Sequence, residues 1–514
     1  MIFKFIIRIF RLLLYPARRK FYRALHNPQL AQQKVQKAIF PNLINSEYGK
    51  SLSITNIEDW QQIPIISYQD IEPWITQQRE NKISLLTPEK IKFYEQTSGS
   101  SGAAKFIPYT QSLLGSFSQM FCVWAEDLIA HGAKFTTGKI YFCISPVLQS
   151  QDEKFQGENR INNDDSEYLD GWLRWFLRPF LVSIPKISGL RSGKEFKHQL
   201  ALTLLAEDKL EIISIWSPTF LKVILDYIQE NREILAQELE NKISLQRCQM
   251  LQGETINWQD MWTELKLISC WDRVNAADSA AYLRSCFPRV LVQGKGLLAT
   301  EAPMTIPLIP SQGCVPILDE VFFEFLDTQG NIHLLHELVV GEEYEVIISQ
   351  KGGLYRYRIG DRLGVSHYYL QTPCLEFLGR TQQISDLVGE KLNSTFVMEV
   401  CASLPLDEKS FRAIVPVKYP QEHYLLLLEK IDIDAEIIAR KLDIALQASP
   451  QYRHARLLGQ LQPIRVIVSS KIPEIITNYQ ISCGKRWGDL KHEILMTKPI
   501  PRDLLIEIEK LVNK

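Results

Sequence analysis

The chain has 514 residues, 58 basic and 59 acidic, for a formal net charge of −1. Hydrophobic residues make up 46% and charged residues 23%, the balance of a globular protein, which excludes a disordered tail, a collagen-like repeat and a strongly basic nucleic-acid binder. The length allows roughly two to four domains at about 150 residues each, with a large core, and no nucleic-acid partner is expected.

The first segment, MIFKFIIRIFRLLLYPARRKFYRAL, is apolar but interrupted by Lys4, Arg8 and Arg11. No uncharged run approaches the roughly 20 residues of a spanning helix, and a small-residue cleavage site is missing. At about 100° per residue, Lys4, Arg8, Arg11, Tyr15 and Arg18 form one stripe on a helix otherwise made of Ile, Phe and Leu. Residues 1–26 therefore read as an amphipathic helix. It either lies on the main domain with its basic stripe in solvent or rests in the plane of a membrane.

Strands and helices then alternate, arguing for layered α/β architecture. An alternating stretch around Ile91 and Phe93 leads into TSGSSGAAK, Thr97 to Lys105, and a helix follows with Leu113, Phe117, Phe121, Trp124 and Leu128 on one face. Such a loop can turn backbone N–H groups and hydroxyls toward phosphate oxygens, with Lys105 adding charge. A Walker A loop needs Gly-Lys-Ser/Thr, whereas Lys105 lies between Ala104 and Phe106, so P-loop chemistry is disfavoured. The bland alternative is a flexible linker. A polar insert, Gln149 to Ser166, reads as a surface loop. After it, Trp172, Trp175, Phe176 and Phe180 either line an acyl pocket or lid or belong to the core. Ser217-Pro218 starts a helix whose buried face is Leu221, Ile224, Leu225 and Ile228.

The nine cysteines are scattered without a C-x-x-C, which fits reduced thiols in the cytoplasm. His333 and His336 are close in sequence but stand alone, so they read as structural rather than as a zinc site. In LLATEAP, Leu297 to Pro303, Thr300 and Glu301 are either a cap or a site; a carboxylate meeting phosphates would hold Mg²⁺. Tyr344, Val346 and Ile348 alternate, Gly352-Gly353 turns, and Tyr355, Tyr357 and Ile359 alternate again, predicting a hairpin. Asp361 is expected where that strand ends at Gly360, either as a turn residue or accepting both ribose hydroxyls. Arg356 and Arg358 lie on the strand face opposite Tyr355 and Tyr357, so at least one face is polar and a candidate for function. After Gly379, strands at Ala413–Val417, Tyr424–Leu428 and Ile464–Val468 alternate with helices near Ala435–Leu446 and Leu504–Val512. The expected organisation is the helix 1–26, a large nucleotide- and acyl-binding domain 27–380, and a small mobile α+β domain 381–514.

TSGSSGAAK, Thr300-Glu301, YRIGD and FLGR (Phe377 to Arg380) follow the order seen in adenylate-forming enzymes. With GEEYEVIISQKGGLYRYRIGD and FFEF at Phe322 to Phe325, the chain closely resembles the Gretchen Hagen family of auxin-responsive acyl acid amido synthetases, as a bacterial-type member. The resemblance runs from roughly Phe93 to the C-terminus and is most specific over Pro307 to Leu392. It implies a large adenylate-forming domain with a smaller C-terminal one, and ATP and Mg²⁺ as cofactors. The implied reaction activates a carboxylic acid as acyl-adenylate and passes the acyl group to an amine, an amino acid. Thr97, Ser98, Gly99, Ser100, Ser101 and Gly102 match the phosphate loop, Thr300 and Glu301 the pair that contacts AMP and magnesium. Asp361 matches the ribose aspartate and Arg380 the arginine before the hinge. Lys391, in GEKLN, matches an adenylate-contacting lysine, and Lys491 falls near the C-terminal catalytic lysine, with Lys485 as alternative. The chain departs from the family at Leu297, where an aromatic is usual, at His492-Glu493 after Lys491, and from the wider superfamily at Gln382 and Gln383, where an acid is common. Two other readings are an acyl-CoA-type synthetase with a thiol acceptor, and a non-catalytic, membrane-associated nucleotide- or acyl-binding protein.

Overall fold

The computed structural model describes residues 2–97, 105–142, 171–183, 193–273, 276–380, 384–385, 387, 390, 392–407, 410–457, 461–483 and 493–511. The chain forms two compact units, the first holding the bulk of the residues up to Gly379 and the second those from Arg380 onward. The polar insert at Gln149–Ser166 lies outside the described residues.

The first unit begins with a helix, Ile2–Leu25, whose residues Phe10, Leu14, Phe21 and Leu25 are buried at helical spacing. They dock on a second helix, Gln111–His131. The basic stripe does not lie in solvent as a block. Arg11 and Arg18 both reach the buried Glu126 of that second helix, with Nε–O distances of 3.0 and 2.8 Å, because a carboxylate this deep needs cationic partners. Lys20 pairs with Asp319 and Glu320. The opposite face leaves Phe5, Ile9, Leu12 and Leu13 exposed. No helix among the described residues is long and apolar enough to cross a membrane.

Strands β1 (Phe93–Thr97) and β2 (Lys105–Tyr109) form an antiparallel hairpin with Thr97 opposite Lys105. Thr110 then caps the Gln111–His131 helix by accepting from the Leu113 amide. Strands β3 (Lys139–Phe142), β4 (Leu210–Ser214), β5 (Leu267–Cys270) and β6 (Leu291–Gly294) make a parallel sheet in that order. Glu211 fixes its β3 edge, accepting from the amides of Thr136, Thr137 and Gly138 at 2.6, 2.9 and 2.6 Å and from Lys266. These donors hold its carboxyl below the usual range despite burial, which by itself acts in the opposite sense. The Pro218–Glu230 helix buries Leu221, Ile224, Leu225 and Ile228 as expected, although the Ser217 side chain makes no capping bond.

Two small hairpins follow, β7 (Leu298–Ala299) with β8 (Ala302–Pro303), and β9 (Thr305–Leu308) with β10 (Gly313–Pro316). A larger sheet takes β11 (Phe322–Leu326), β12 (Ile332–Leu334), β13 (Glu343–Gln350), β14 (Leu354–Tyr369) and β15 (Thr372–Arg380) in the order 12-11-13-14-15. The expected hairpin is β13–β14, turning at Lys351-Gly352-Gly353. His333 pairs with Asp327 at 2.9 Å and Leu335 is buried. Among the described residues no cluster of three or more His, Cys, Asp or Glu could hold a metal ion.

The second unit contains the pair β16 (Ile384–Ser385) and β17 (Leu392–Asn393) and a sheet of β18 (Arg412–Val417), β19 (His423–Leu428) and β20 (Arg465–Val468). Ile414, Tyr424, Leu426 and Leu428 face one core with the Ala435–Leu446 helix. Ala413, Val415, Leu425 and Leu427 face another, shared with the helices Ile472–Ser482 and Arg502–Glu509. Burial on both faces explains why Tyr424–Leu428 is apolar without interruption.

Candidate active site

The first motif rests on the β1–β2 hairpin. Ser98, Gly99, Ser100, Ser101 and Gly102 lie outside the described residues, while Thr97 and Lys105 pair at the mouth of the loop. Lys105 Nζ stands 5.4 Å from the centre of the Tyr68 ring, and the Tyr68 hydroxyl accepts from the Phe106 amide at 2.9 Å. Burial raises the Tyr68 phenol above its ordinary value, so the lysine meets a neutral ring.

Thr300 and Glu301 are the two turn residues between β7 and β8, and Glu301 is only 8% exposed. The Tyr109 hydroxyl, at the end of β2, donates to the Thr300 carbonyl at 2.6 Å. Tyr109 is fully buried and stacks between Phe93 and Phe117, with ring centroids 4.9 and 5.8 Å away. It therefore joins the phosphate-loop hairpin to the Glu301 turn. Sequence reading passed over it, since a tyrosine ending a strand carries no spacing signal.

Asp361 does not stand at the end of a strand, because β14 runs on to Tyr369. Glu345 pairs with Arg362 and Ile347 with Arg358, so three residues of β14 oppose one of β13. This bulge contains Gly360, at φ +85°, a conformation open to glycine. Bulges re-aim side chains without ending a sheet, and Asp361 lies in this one, 2% exposed.

The polar face of Arg356 and Arg358 is structural. Arg358 forms an ion pair with Glu345. Arg356 is 2% exposed, and its Nε donates to Glu324 at 3.0 Å. Its Nη1 donates to the carbonyls of Gln61 and Ile63 at 2.9 and 2.7 Å. Trp60 and Gln61 donate to the same Glu324, and Ile66 bridges to β14 through Arg356 and Arg358 backbone groups. A buried charge needs this full set of partners; the Gln61 and Ile63 carbonyls that Arg356 meets are nearly 300 residues away, whereas Glu324 and the Glu345 partner of Arg358 lie on neighbouring strands of the same sheet. Tyr109, Ala302, Ile359 and Phe377, each in or beside a motif, belong to or pack against one hydrophobic cluster, so a single core carries all four.

At the carboxyl ends of the parallel strands, Lys295 follows β6 and donates to Ser214 Oγ at 2.8 Å. Trp216, Phe142 and Trp124 surround its Nζ at 5.1, 5.8 and 6.0 Å. Nothing in its sequence context marked it. The aromatic cluster divides: Trp172 and Trp175 are exposed, while Phe176 and Phe180 line a cavity. Burial pushes the thiols of Cys270 and Cys314 up to about 12, so neither supplies a thiolate nucleophile.

In the second unit, Lys391, Lys485 and Lys491 lie outside the described residues, as do Gln382 and Gln383. Next to Lys391, Glu390 is fully buried and accepts from the Leu387 amide at 2.8 Å and from the Tyr424 hydroxyl. Arg380 ends β15.

Residues 17–250, 314–380 and 394–500 match, in order, the models of the GH3 family N-terminal, central and C-terminal domains. The match starts well before Phe93, because the N-terminal elements carry likeness without a motif. An indole-3-acetic acid-amido synthetase of Arabidopsis thaliana is 22% identical over 541 aligned residues, covering 90% of this chain and 89% of that one. A jasmonoyl–L-amino acid synthetase of Nicotiana attenuata is 22% identical, covering 71% and 72%. Among solved structures, an acyl acid amido synthetase in complex with 2,4-DB aligns with a TM-score of 0.76 at 17% identity, covering 97% of this chain and 96% of that one. This likeness gives the adenylate-forming fold with its smaller C-terminal domain.

Proposed function

The chain belongs to the GH3 family, and from that premise we propose that it is an ATP-dependent ligase joining a carboxylic acid to the amine of an amino acid. The observation that carries this reading is the match of all three family domains in order. A carboxylate resists an amine because its charge repels the nucleophile and oxide leaves poorly. Its attack on the α-phosphorus of ATP, expelling pyrophosphate, gives an acyl-adenylate. Attack by the amine nitrogen on the acyl carbon then expels AMP and gives an amide.

In this reading Thr97 to Gly102 cradle the phosphates through amides and hydroxyls, Lys105 adds charge, and Asp361 accepts from the ribose. Thr300 faces the AMP moiety, and Arg380 and Lys391 contact the adenylate on either side of the hinge. Glu301, one carboxylate outside any cluster of ligating side chains among the described residues, suits a Mg²⁺ ion that takes its other oxygens from phosphates and water. Bound there, the ion would supply charge neutralisation at the phosphates. The domain 381–514 excludes water from the adenylate by closing over the site. Free cysteines throughout the described residues support a cytoplasmic location.

Pyrophosphate release across a panel of carboxylic acids, followed by product mass with amino acids or coenzyme A, tests the reading. An amide supports it; a thioester makes the chain an acyl-CoA-type synthetase. ATP binding without pyrophosphate from any acid makes it a non-catalytic binder. Asp361→Ala should weaken ATP binding by about 1.5–3 kcal/mol, the worth of hydrogen bonds to a charged group, and Glu301→Gln should raise the magnesium requirement for pyrophosphate release. Wild-type ATP–pyrophosphate exchange in both variants would remove these residues from the site.

We also propose peripheral contact with anionic lipid through the outer face of the N-terminal helix. Exposed Phe5, Ile9, Leu12 and Leu13 lie beside Arg8, Arg19 and Arg23 on a helix without an acidic residue, and each arginine near such a surface contributes about 1 kcal/mol. The full chain should sediment with phosphatidylserine vesicles at low salt, and Leu12→Gln with Leu13→Gln should release it. Absence of sedimentation at low salt would sink the idea.

A further inference from the structure

Open α/β sheets bind ligands outside the carboxyl ends of their strands. Here that edge carries Ser214, Lys295 and the rings of Phe142, Trp124 and Trp216. Ser214, Trp124 and Phe142 also line a cavity that runs away from the edge. Its other walls are Phe3, Ile7 and Phe10 of the N-terminal helix, Leu128 and Ala125 of the Gln111–His131 helix, and Phe176 of the Gly171–Leu177 helix. Aromatic contacts hold these walls together: Phe10 stacks on Phe176 at 4.3 Å and Phe3 meets Phe180 edge-on at 5.9 Å. The empty space between these walls, open solvent at the mouth included, is about 880 Å³. Among the described residues, apart from the Trp124 indole, which donates to Gln293 at 3.0 Å, only Ser214 brings a polar side chain to the lining.

A chamber with one polar end and otherwise apolar walls selects an amphiphile. Water gains no partners along those walls, and a ring bearing several polar groups would lose its hydrogen bonds there. A flexible hydrocarbon chain loses nothing. Resting on the acid-activating reading above, we propose that the acid taken by this chain is a long aliphatic carboxylic acid. Its hydrocarbon lies beneath the N-terminal helix and its carboxylate lies at the Ser214–Lys295 end. The N-terminal helix is then a wall of the substrate chamber, which gives its inner aromatic face a purpose beyond docking.

The test is a series of straight-chain acids from six to fourteen carbons, with benzoate and phenylacetate as compact aromatic controls. Pyrophosphate release gives kcat/KM and calorimetric titration gives Kd. Each methylene removed from water should improve both by roughly fourfold until the chamber is full, and the longer acids should outrun the aromatic controls. Ala125→Phe, which fills the chamber, should flatten that dependence for the longer acids. Ala125→Met is the milder change should the first variant melt early. A flat dependence on chain length in the wild type, or one untouched by either substitution, overturns the proposal. If no acid releases pyrophosphate, the ligase reading fails, and the Kd series alone decides whether the chamber holds alkyl chains.

Discussion

Lys491→Ala should slow acyl-adenylate formation roughly 100- to 1,000-fold, the usual cost of one preorganised donor at a charge that develops in the transition state. Negative charge accumulates on the α-phosphate oxygens as the carboxylate attacks, and an ammonium there stabilises the transition state more than the ground state. In the second step phosphate charge is shed with AMP, so preformed acyl-adenylate should still pass to the amine at near wild-type rate. Lys485, in GKRWG, is the competitor. Single-turnover assays of each half-reaction separate them. A crippled first half-reaction in Lys485→Ala beside an unimpaired one in Lys491→Ala would move the role to Lys485.

The elements legible in the sequence were those written in local periodicity. The β13–β14 hairpin has alternation on both sides of Gly352-Gly353, and the Pro218–Glu230 helix shows four apolar residues at i, i+3, i+4, i+7. Three of the strands after Arg380, β18 to β20, follow largely apolar runs, the last carrying Arg465, and each was placed to within a residue or so. Long-range pairing left no such mark. Arg11 and Arg18 read as solvent-facing because Glu126, their reason for turning inward, is over 100 residues away. Asp361 was assigned to a strand end because Gly360 ordinarily breaks a strand; only the register against β13 reveals a bulge. Tyr109 and Lys295 were invisible for the same reason. Their partners, Thr300 and Ser214, come from other parts of the chain. Phe121 and Trp124 were read as one apolar face with Leu113 and Phe117. They are half-buried, packed against the core on one side and lining the cavity on the other.

Arg356→Ala should destabilise the first unit by about 3–5 kcal/mol, the cost of stranding one partner of a buried ion pair. Glu324 is 1% exposed and would keep only the Trp60 and Gln61 donors, while the carbonyls of Gln61 and Ile63 would lose theirs. Arg356 sits at φ +46°, a left-handed conformation that costs a side-chain-bearing residue roughly 1–2 kcal/mol, so the surroundings must impose it. Two further variants divide the effect. Arg356→Gly loses the same bonds but relieves the backbone, and should melt above Arg356→Ala. Arg356→Met with Glu324→Leu removes both charges, and should recover much of the loss, since apolar replacement of a whole buried pair is often neutral. Segment 60–66 is held against β14 only a few residues from the Asp361 bulge. Arg356→Ala should therefore also weaken ATP binding through loosening of that strand, at temperatures where the unit is still folded. Calorimetric melting of the four proteins checks the order. If Arg356→Ala melts with the wild type, or the double variant melts below it, the pair does not hold the segment to the sheet.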